Sequence, residues 1–446
     1  MHIQTALLAR RLLIGIGILI WSLMPGPCPA AQDGPTDYTL EECIQLALKK
    51  SPAVDSATQQ IKGAQWDKRK AFTGFLPTVG VKYQYTKLDE RTYRSVSGFQ
   101  VAQNTVDNYK LTGTVTQPLF TGFATLSRYQ LAALGLDVAK ISEEQAQMDL
   151  ILQVKEAYFG ILQAEKGLDV ANQSVKQLEA HLNVARSFFD VGMEPKNHVL
   201  EAEVRLAQAV QDKIIAEHSL YFARANMNTL LRRDIEAPLT VVDILSHKPF
   251  DKSLAECTDL ALKHRPEIRA AQRNIEMSDK NIRLAKSGYF PTISVSYNEI
   301  YEGDTWEVSG SDYHDAKSWN VVALASWSIW EWGRTFDEIQ STRVDKKKAE
   351  NSLVQVTDAV RLAVKRSYLA LQAAEKNIFV TQKALEQAEE NYRMSEERYR
   401  EQVATSTEVT DAETLLTRTR INNYSSLYSF KLAWASLERA MGVNVD

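Results

Sequence analysis

Apolar and polar residues alternate in four short stretches of the chain. In Thr78–Lys87, Val79, Val81, Tyr83 and Tyr85 share one face, and Gly80, Lys82, Gln84 and Thr86 share the other. Asn108–Gln117 sets Tyr109, Leu111 and Val115 against Lys110, Thr112, Thr114 and Thr116. At about 292–300, Ile293, Val295 and Tyr297 alternate with Ser294, Ser296 and Asn298; at about 318–328, Trp319, Val321, Ala323, Ala325 and Trp327 form the odd face. Period two predicts strands with two unlike environments. Longer stretches carry apolar residues three and four apart, as in Leu150, Val154, Ala157, Ile161, Ala164, Leu168 and Ala171. That spacing predicts helices with a packing seam, over residues 124–189, 195–231, 331–402 and 406–441. Proline is absent from Ala124 to Phe189 and from Glu331 to Gln402. Each of those two helices would be on the order of 100 Å long.

The pattern is written twice. "GFLPTVGVKYQY" from Gly74 returns as "GYFPTISVSYNE" from Gly288, 214 residues on, and "LEECIQLALKKSP" from Leu40 returns as "LAECTDLALKHRP" from Leu254 at the same offset. "VKEAYFGILQAEK" (Val154–Lys166) matches "VKRSYLALQAAEK" (Val364–Lys376) at 210, as "VLEAE" matches "VTDAE". The change of four residues belongs to the loop between strands. Such a long period is an internal duplication rather than a solenoid unit. Each half reads helix, strand, strand, long helix, helix. The organisation is a first repeat at 38–232, a linker at 233–252 and a second repeat at 253–446. Gly74, Pro77, Gly288 and Pro291 mark the passages from helix to strand.

Composition fits this picture. Gly (19) and Pro (12) are scarce among 446 residues, as uninterrupted helices require. The net charge of −4 supplies no basic face for nucleic acid. Arg10 and Arg11, the apolar run Leu12–Trp21 and the small residues of "CPAAQ" make residues 1–31 a secretory signal cleaved after Ala30 or Ala31. The run is short for a spanning helix of ~20 residues. Lipid processing at Cys28 stays open, although proline stands where that signal expects leucine. Cys43 and Cys257 survive cleavage at equivalent repeat positions. An exported pair can form a disulfide; the pseudo-symmetry instead separates them as two buried free thiols.

The strands are about as long as the ~9–11 residues of a membrane-crossing strand, with Tyr and Trp near the ends of the apolar face. Four strands cannot close a barrel, and open edges cannot sit in lipid, so strands in a membrane demand an oligomer.

The duplicated "LALKKSP" and "LALKHRP", the paired "FLPT" and "YFPT", the strand end "TQPLFTG" (Thr116–Gly122) and the turns "FFDVGMEPKNHVLEAE" and "RYREQVATSTEVTDAE" together resemble the outer membrane efflux protein family, the TolC-like channel-tunnels. The resemblance covers Leu40 to the C-terminus. It implies a mainly α protomer with a small membrane β part. Three such protomers would form a 12-stranded barrel above an α-helical periplasmic tunnel. The polar strand faces would line a water-filled lumen, and loops Leu88–Asp107 and Tyr301–Lys317 would face outside. It also implies an outer membrane location, a periplasmic adaptor protein, an inner-membrane pump of RND or ABC type, and contact with outer membrane lipid.

The helix turns carry the candidate sites. Gly192 suits a helix end, Pro195 a helix start, and Thr405 with Glu408 a capping box. By the resemblance, Val191, Gly192 and Met193 form one adaptor-docking tip and Gln402, Val403 and Ala404 the other, with Gln402 in place of the family's Gly. Glu408 and Asp411, three apart on one helix face, match the family's acidic gate positions. Their other reading is a solvated helix start, where acids suit the dipole. Ala404 and His198 stand where the family's best-studied members carry an Arg and an Asp, so that lock is not preserved.

The seven His show no zinc spacing, and no P-loop, nucleophile elbow or dinucleotide fingerprint occurs. Neither cofactor, metal nor catalysis is expected. The reading is a passive exit duct for tripartite efflux or type I secretion. The alternative is a periplasmic coiled-coil scaffold without a pore.

Overall fold

The computed structural model describes residues 37–103, 105–244 and 249–443; the export signal expected at 1–31, Cys28 included, lies outside them. In chain order the elements are β1 (Asp37–Tyr38), α1 (Leu40–Lys50), α2 (Pro52–Thr73), β2 (Thr78–Lys87), β3 (Tyr93–Val96), β4 (Phe99–Ala102), β5 (Asp107–Thr121), α3 (Ala124–Asp190), α4 (Lys196–Leu230), β6 (Thr240–Val241), α5 (Leu254–His264), α6 (Pro266–Lys286), β7 (Thr292–Gly303), β8 (Lys317–Ser326), α7 (Arg334–Arg400) and α8 (Ser406–Met441). The same order of helices and long strands occurs in both halves.

Each half opens with two helices rather than the one expected. The break falls at the repeated Pro. Ser51 and Arg265, each before a proline, are extended (ψ 123° and 122°), because the proline ring disfavours the helical region for its predecessor. Pro52 and Pro266 then start new helices, where their missing N–H costs nothing. Both short leading helices begin with a capping box, Thr39 with Glu42 and Ser253 with Glu256. Two further differences concern the connections. The loop between β2 and β5 contains the β3–β4 hairpin, and the segment read as a linker contributes β6, which pairs in parallel with β1.

The four long strands form one antiparallel sheet in the order β2-β5-β7-β8, with β2 and β8 as open edges. The register aligns like with like. Val79, Val115, Tyr297 and Val321 cross the sheet in one row, and Gly80, Thr114, Asn298 and Asn320 in the next. Along the polar row, Thr114 donates to Asn298 Oδ1 at 2.8 Å and Asn298 Nδ2 to Asn320 Oδ1 at 2.9 Å. On the apolar face Tyr297 stacks on Trp319 with centroids 6.2 Å apart. Ile300, Val322 and Leu324 interrupt the polar face. β5 runs four residues beyond Gln117, through an irregularity between Pro118 and Phe120, and β7 runs on to Gly303.

The long helices α3 and α7, 67 residues each, span ~100 Å. α4 folds back on α3 and α8 on α7, and α3 also packs against α2, α6 and α8. The main apolar cores lie where the short helices meet the long ones. One gathers Cys43, Val154, Tyr158, Ile161, Leu162 and Met227; the other Cys257, Val364, Leu371, Phe430, Leu437 and Met441. Burying each such side chain stabilises by roughly 1.5–3 kcal/mol. Cys43 and Cys257 are buried free thiols in separate cores. Burial pushes the Cys43 thiol up to about 11 and raises that of Cys257. Arg439 on α8 ties the halves through its Nε, which donates to Asp149 on α3 at 2.6 Å, while its Nη2 donates within its own half to Glu267 on α6 at 2.8 Å.

Candidate functional site

The ends of the two helical hairpins lie side by side, far from the sheet. α3 stops because Gly192 turns left-handed (φ 80°), letting its N–H reach Phe189 O at 2.9 Å and Met193 N–H reach Phe188 O at 2.8 Å. α7 stops the same way at Gln402 (φ 61°), with Gln402 N–H on Tyr399 O and Val403 N–H on Arg398 O, both at 2.9 Å. These are Schellman-type closures, and glycine is their preferred residue. Gln402 takes the conformation despite its Cβ, which costs about 1–2 kcal/mol. Pro195 is the N-cap of α4, one position before the first helical turn.

The tips present apolar side chains to solvent. Val191, Met193 and Val403 are 65%, 62% and 63% exposed. The structure brings the two tips into contact: Gln402 Nε2 lies 2.8 Å from Met193 Sδ, and Tyr399 Oη donates to Glu194 Oε2 at 3.0 Å. Ala404 is half-buried beneath them.

Glu408 completes the capping box of α8, accepting from Thr405 N–H at 3.3 Å while its own N–H donates to Thr405 Oγ1 at 3.3 Å. Its other oxygen faces Arg398 Nη1 at 3.8 Å. Asp411 stands one turn on and faces Arg205 Nη2 of α4 at 3.4 Å. Both carboxylates are exposed. Each thus has one basic neighbour within the protomer. The sequence reading did not anticipate Arg398, Arg205, Tyr399, Glu194 or His181 as tip residues. One signal was available: Tyr399 stands 210 residues after Phe189. The copy that gained a hydroxyl is buried, while Phe189 stays exposed.

At the other end, the expected helix breakers act through space rather than conformation. Gly74 is helical (φ −62°), and a Cβ there would meet Thr125 Cγ2 at 3.1 Å; one on Gly288 would meet Thr335 Oγ1 at 2.9 Å. Pro77 and Pro291 directly precede β2 and β7. The left-handed residues lie on the return path from strand to helix, at Gly122 and Phe123 (φ 60° and 69°) and at Trp332 and Gly333 (φ 51° and 87°).

Among the described residues no helix is long and apolar enough to cross a membrane, which leaves the sheet unaddressed. A sequence profile of the outer membrane efflux protein family matches residues 43–231 and again 257–443. The chain is 24% identical over 353 residues to the protein CyaE of Bordetella pertussis, covering 78% of this chain and 72% of that protein. It is 24% identical over 333 residues to the outer membrane protein TolC of Vibrio cholerae, covering 69% and 73%. The crystal structure of the outer membrane protein VceC of Vibrio cholerae superposes with a TM-score of 0.78 at 18% identity, over 91% of this chain and 97% of that one.

Proposed function

Since this chain belongs to the outer membrane efflux protein family, we propose that three copies of it close one duct across the outer membrane and the periplasm. The protein is the outer membrane exit channel of a tripartite efflux or type I secretion system, in a family of channels rather than enzymes. It resides in the outer membrane of a Gram-negative bacterium and extends into the periplasm.

The observation that carries the trimer is the sheet, which has two open edges and two unlike faces above ~100 Å of paired helices. Unpaired edge groups cost several kcal/mol each in hydrocarbon, so β8 of one copy pairs with β2 of the next until the ring closes. Three copies supply twelve strands. The odd face meets lipid, and the Thr, Ser, Asn and Lys face meets water. Each protomer contributes two repeats, 38–232 and 253–446, joined by 233–252.

The tips form the periplasmic mouth. Exposed Val191, Met193 and Val403, with Gly192, Gln402 and Ala404, supply an apolar surface for a periplasmic adaptor protein, which connects the duct to an RND- or ABC-type inner-membrane pump. Glu408 and Asp411 from three copies set six carboxylates around the mouth, an arrangement that favours cations. Glu408 also caps its helix, so its two roles are tested together.

Conductance in a planar bilayer tests this reading. Wild type is expected to show a small cation-selective conductance, and Glu408→Gln with Asp411→Asn a larger or less selective one. An open pore indifferent to both changes would move the gate elsewhere. No conductance and no heat-modifiable trimer in detergent would leave the periplasmic scaffold.

A further inference from the structure

A histidine is sealed into the junction between the two hairpins, about 14 Å above the tip of α3. His181 of α3 is 6% exposed. Its Nε2 lies 2.8 Å from the Oγ of Ser406, a fully buried residue at the start of α8, and its ring lies 4.9 Å from that of Tyr399 on α7. This one side chain of α3 therefore joins its own helix to two of the other three that meet there. The fourth, α4, and the turn before it bring the charged groups.

Those groups are already engaged. Glu194 accepts from Tyr399 Oη and lies 3.4 Å from His198 Nδ1. Glu201 accepts from Thr407 Oγ1 at 3.2 Å. Arg186, one turn on along α3, pairs with Glu203 at 2.7 Å; Arg398 faces Glu408, and Arg205 faces Asp411. Among the described residues no carboxylate is hydrogen-bonded to the His181 ring.

We propose that His181 is a proton sensor: a proton taken up by this ring loosens the junction between the α3–α4 and α7–α8 hairpins and lets the tips part. The consequence for the duct rests on the gate reading above. A neutral imidazole satisfies the junction with one hydroxyl and an aromatic face. An imidazolium there carries a buried charge and a second N–H without a carboxylate bonded to it, which low-polarity surroundings penalise. Burial holds the ring's pKa below its ordinary 6.5, against the smaller upward pull of Glu194 and Glu201. With the tips apart the ring regains water and its ordinary value. The junction is therefore at full strength above about pH 6.5 and weakens as the pH falls below it.

Two readouts on the full-length trimer test this. Spin labels at Asn197→Cys and Glu401→Cys report the distance between tips, and planar-bilayer conductance reports the duct, each between pH 7.5 and 5.5. Wild type is expected to show longer, broader distances and a several-fold rise in conductance in acid. His181→Gln, which keeps a polar group but no titration, is expected to show neither. Ser406→Ala weakens the junction without removing the ring and should keep the acid response, separating titration from loss of packing. An acid response undiminished in His181→Gln, or tips that draw together in acid because Glu194 and Glu201 win, would overturn the sensor. Distances that respond while conductance stays fixed would keep the sensor and sink the gate reading.

Discussion

Gln402 shows how a single residue departs from the rule its neighbours follow. The two hairpin tips close by the same hydrogen bonds, yet one uses Gly192 and the other a glutamine in the same left-handed backbone. The side chain is used, since its amide reaches Met193 across the tips. Gln402→Gly should relieve the backbone and raise thermal stability by about 1 kcal/mol, while loosening the contact between tips. Calorimetry on the purified protein would check the first effect. No gain in stability would mean that the Met193 contact already offsets the strain. Gly122 is the opposite case. A Cβ there would lie 2.6 Å from Ser287 O, on top of the strain of φ 60°, so the missing space rather than the conformation alone requires glycine.

At the scale of elements, the repeated proline and glycine signals do different work from one another. Pro52 and Pro266 split what the periodicity reads as one helix, because each forces its predecessor out of the helical region. Pro77 and Pro291 stand where helix gives way to strand, and Gly74 and Gly288 allow the first turns of α3 and α7 to approach. Replacing Pro77 or Pro291 by Ala should lower trimer yield more than Ser97→Ala in the β3–β4 turn. Membrane extracts run unheated on gels would show it; equal yield from all three would remove these prolines from the assembly of the sheet. The long helices need no such signals, because seams of Ala, Leu and Val at helical spacing already give each one a partner.

For the whole molecule, the decisive property is that the sheet ends in two open edges, β2 and β8, which the proposed trimer would pair. Val115 and Thr114 are adjacent on β5 but belong to opposite faces, as the cross-strand rows show. Val115→Arg should block assembly into the membrane, since a cation on the lipid face near the bilayer centre costs about 2–4 kcal/mol per copy. Thr114→Arg should leave the trimer intact and reduce cation selectivity. Fractionated membranes and bilayer recordings would separate the two; equal tolerance would mean that the faces are misassigned or the sheet is not in lipid.

The sequence by itself determined the periodic part of this protein. Strand faces, long helices, the two-fold repetition and the residues of the tips all follow from local spacing and local backbone preference, which act within a few residues. The break at Pro52 was also written locally, in the residue before the proline, though the repeat alone did not show it. Only the tertiary structure decided what meets what. That Tyr399 binds Glu194, that Arg205 faces Asp411, and that His181 sits against Ser406 depend on residues about 200 positions apart along the chain. No period encodes those meetings. They arise because one pseudo-symmetric half packs on the other, and the two halves differ at the positions that touch.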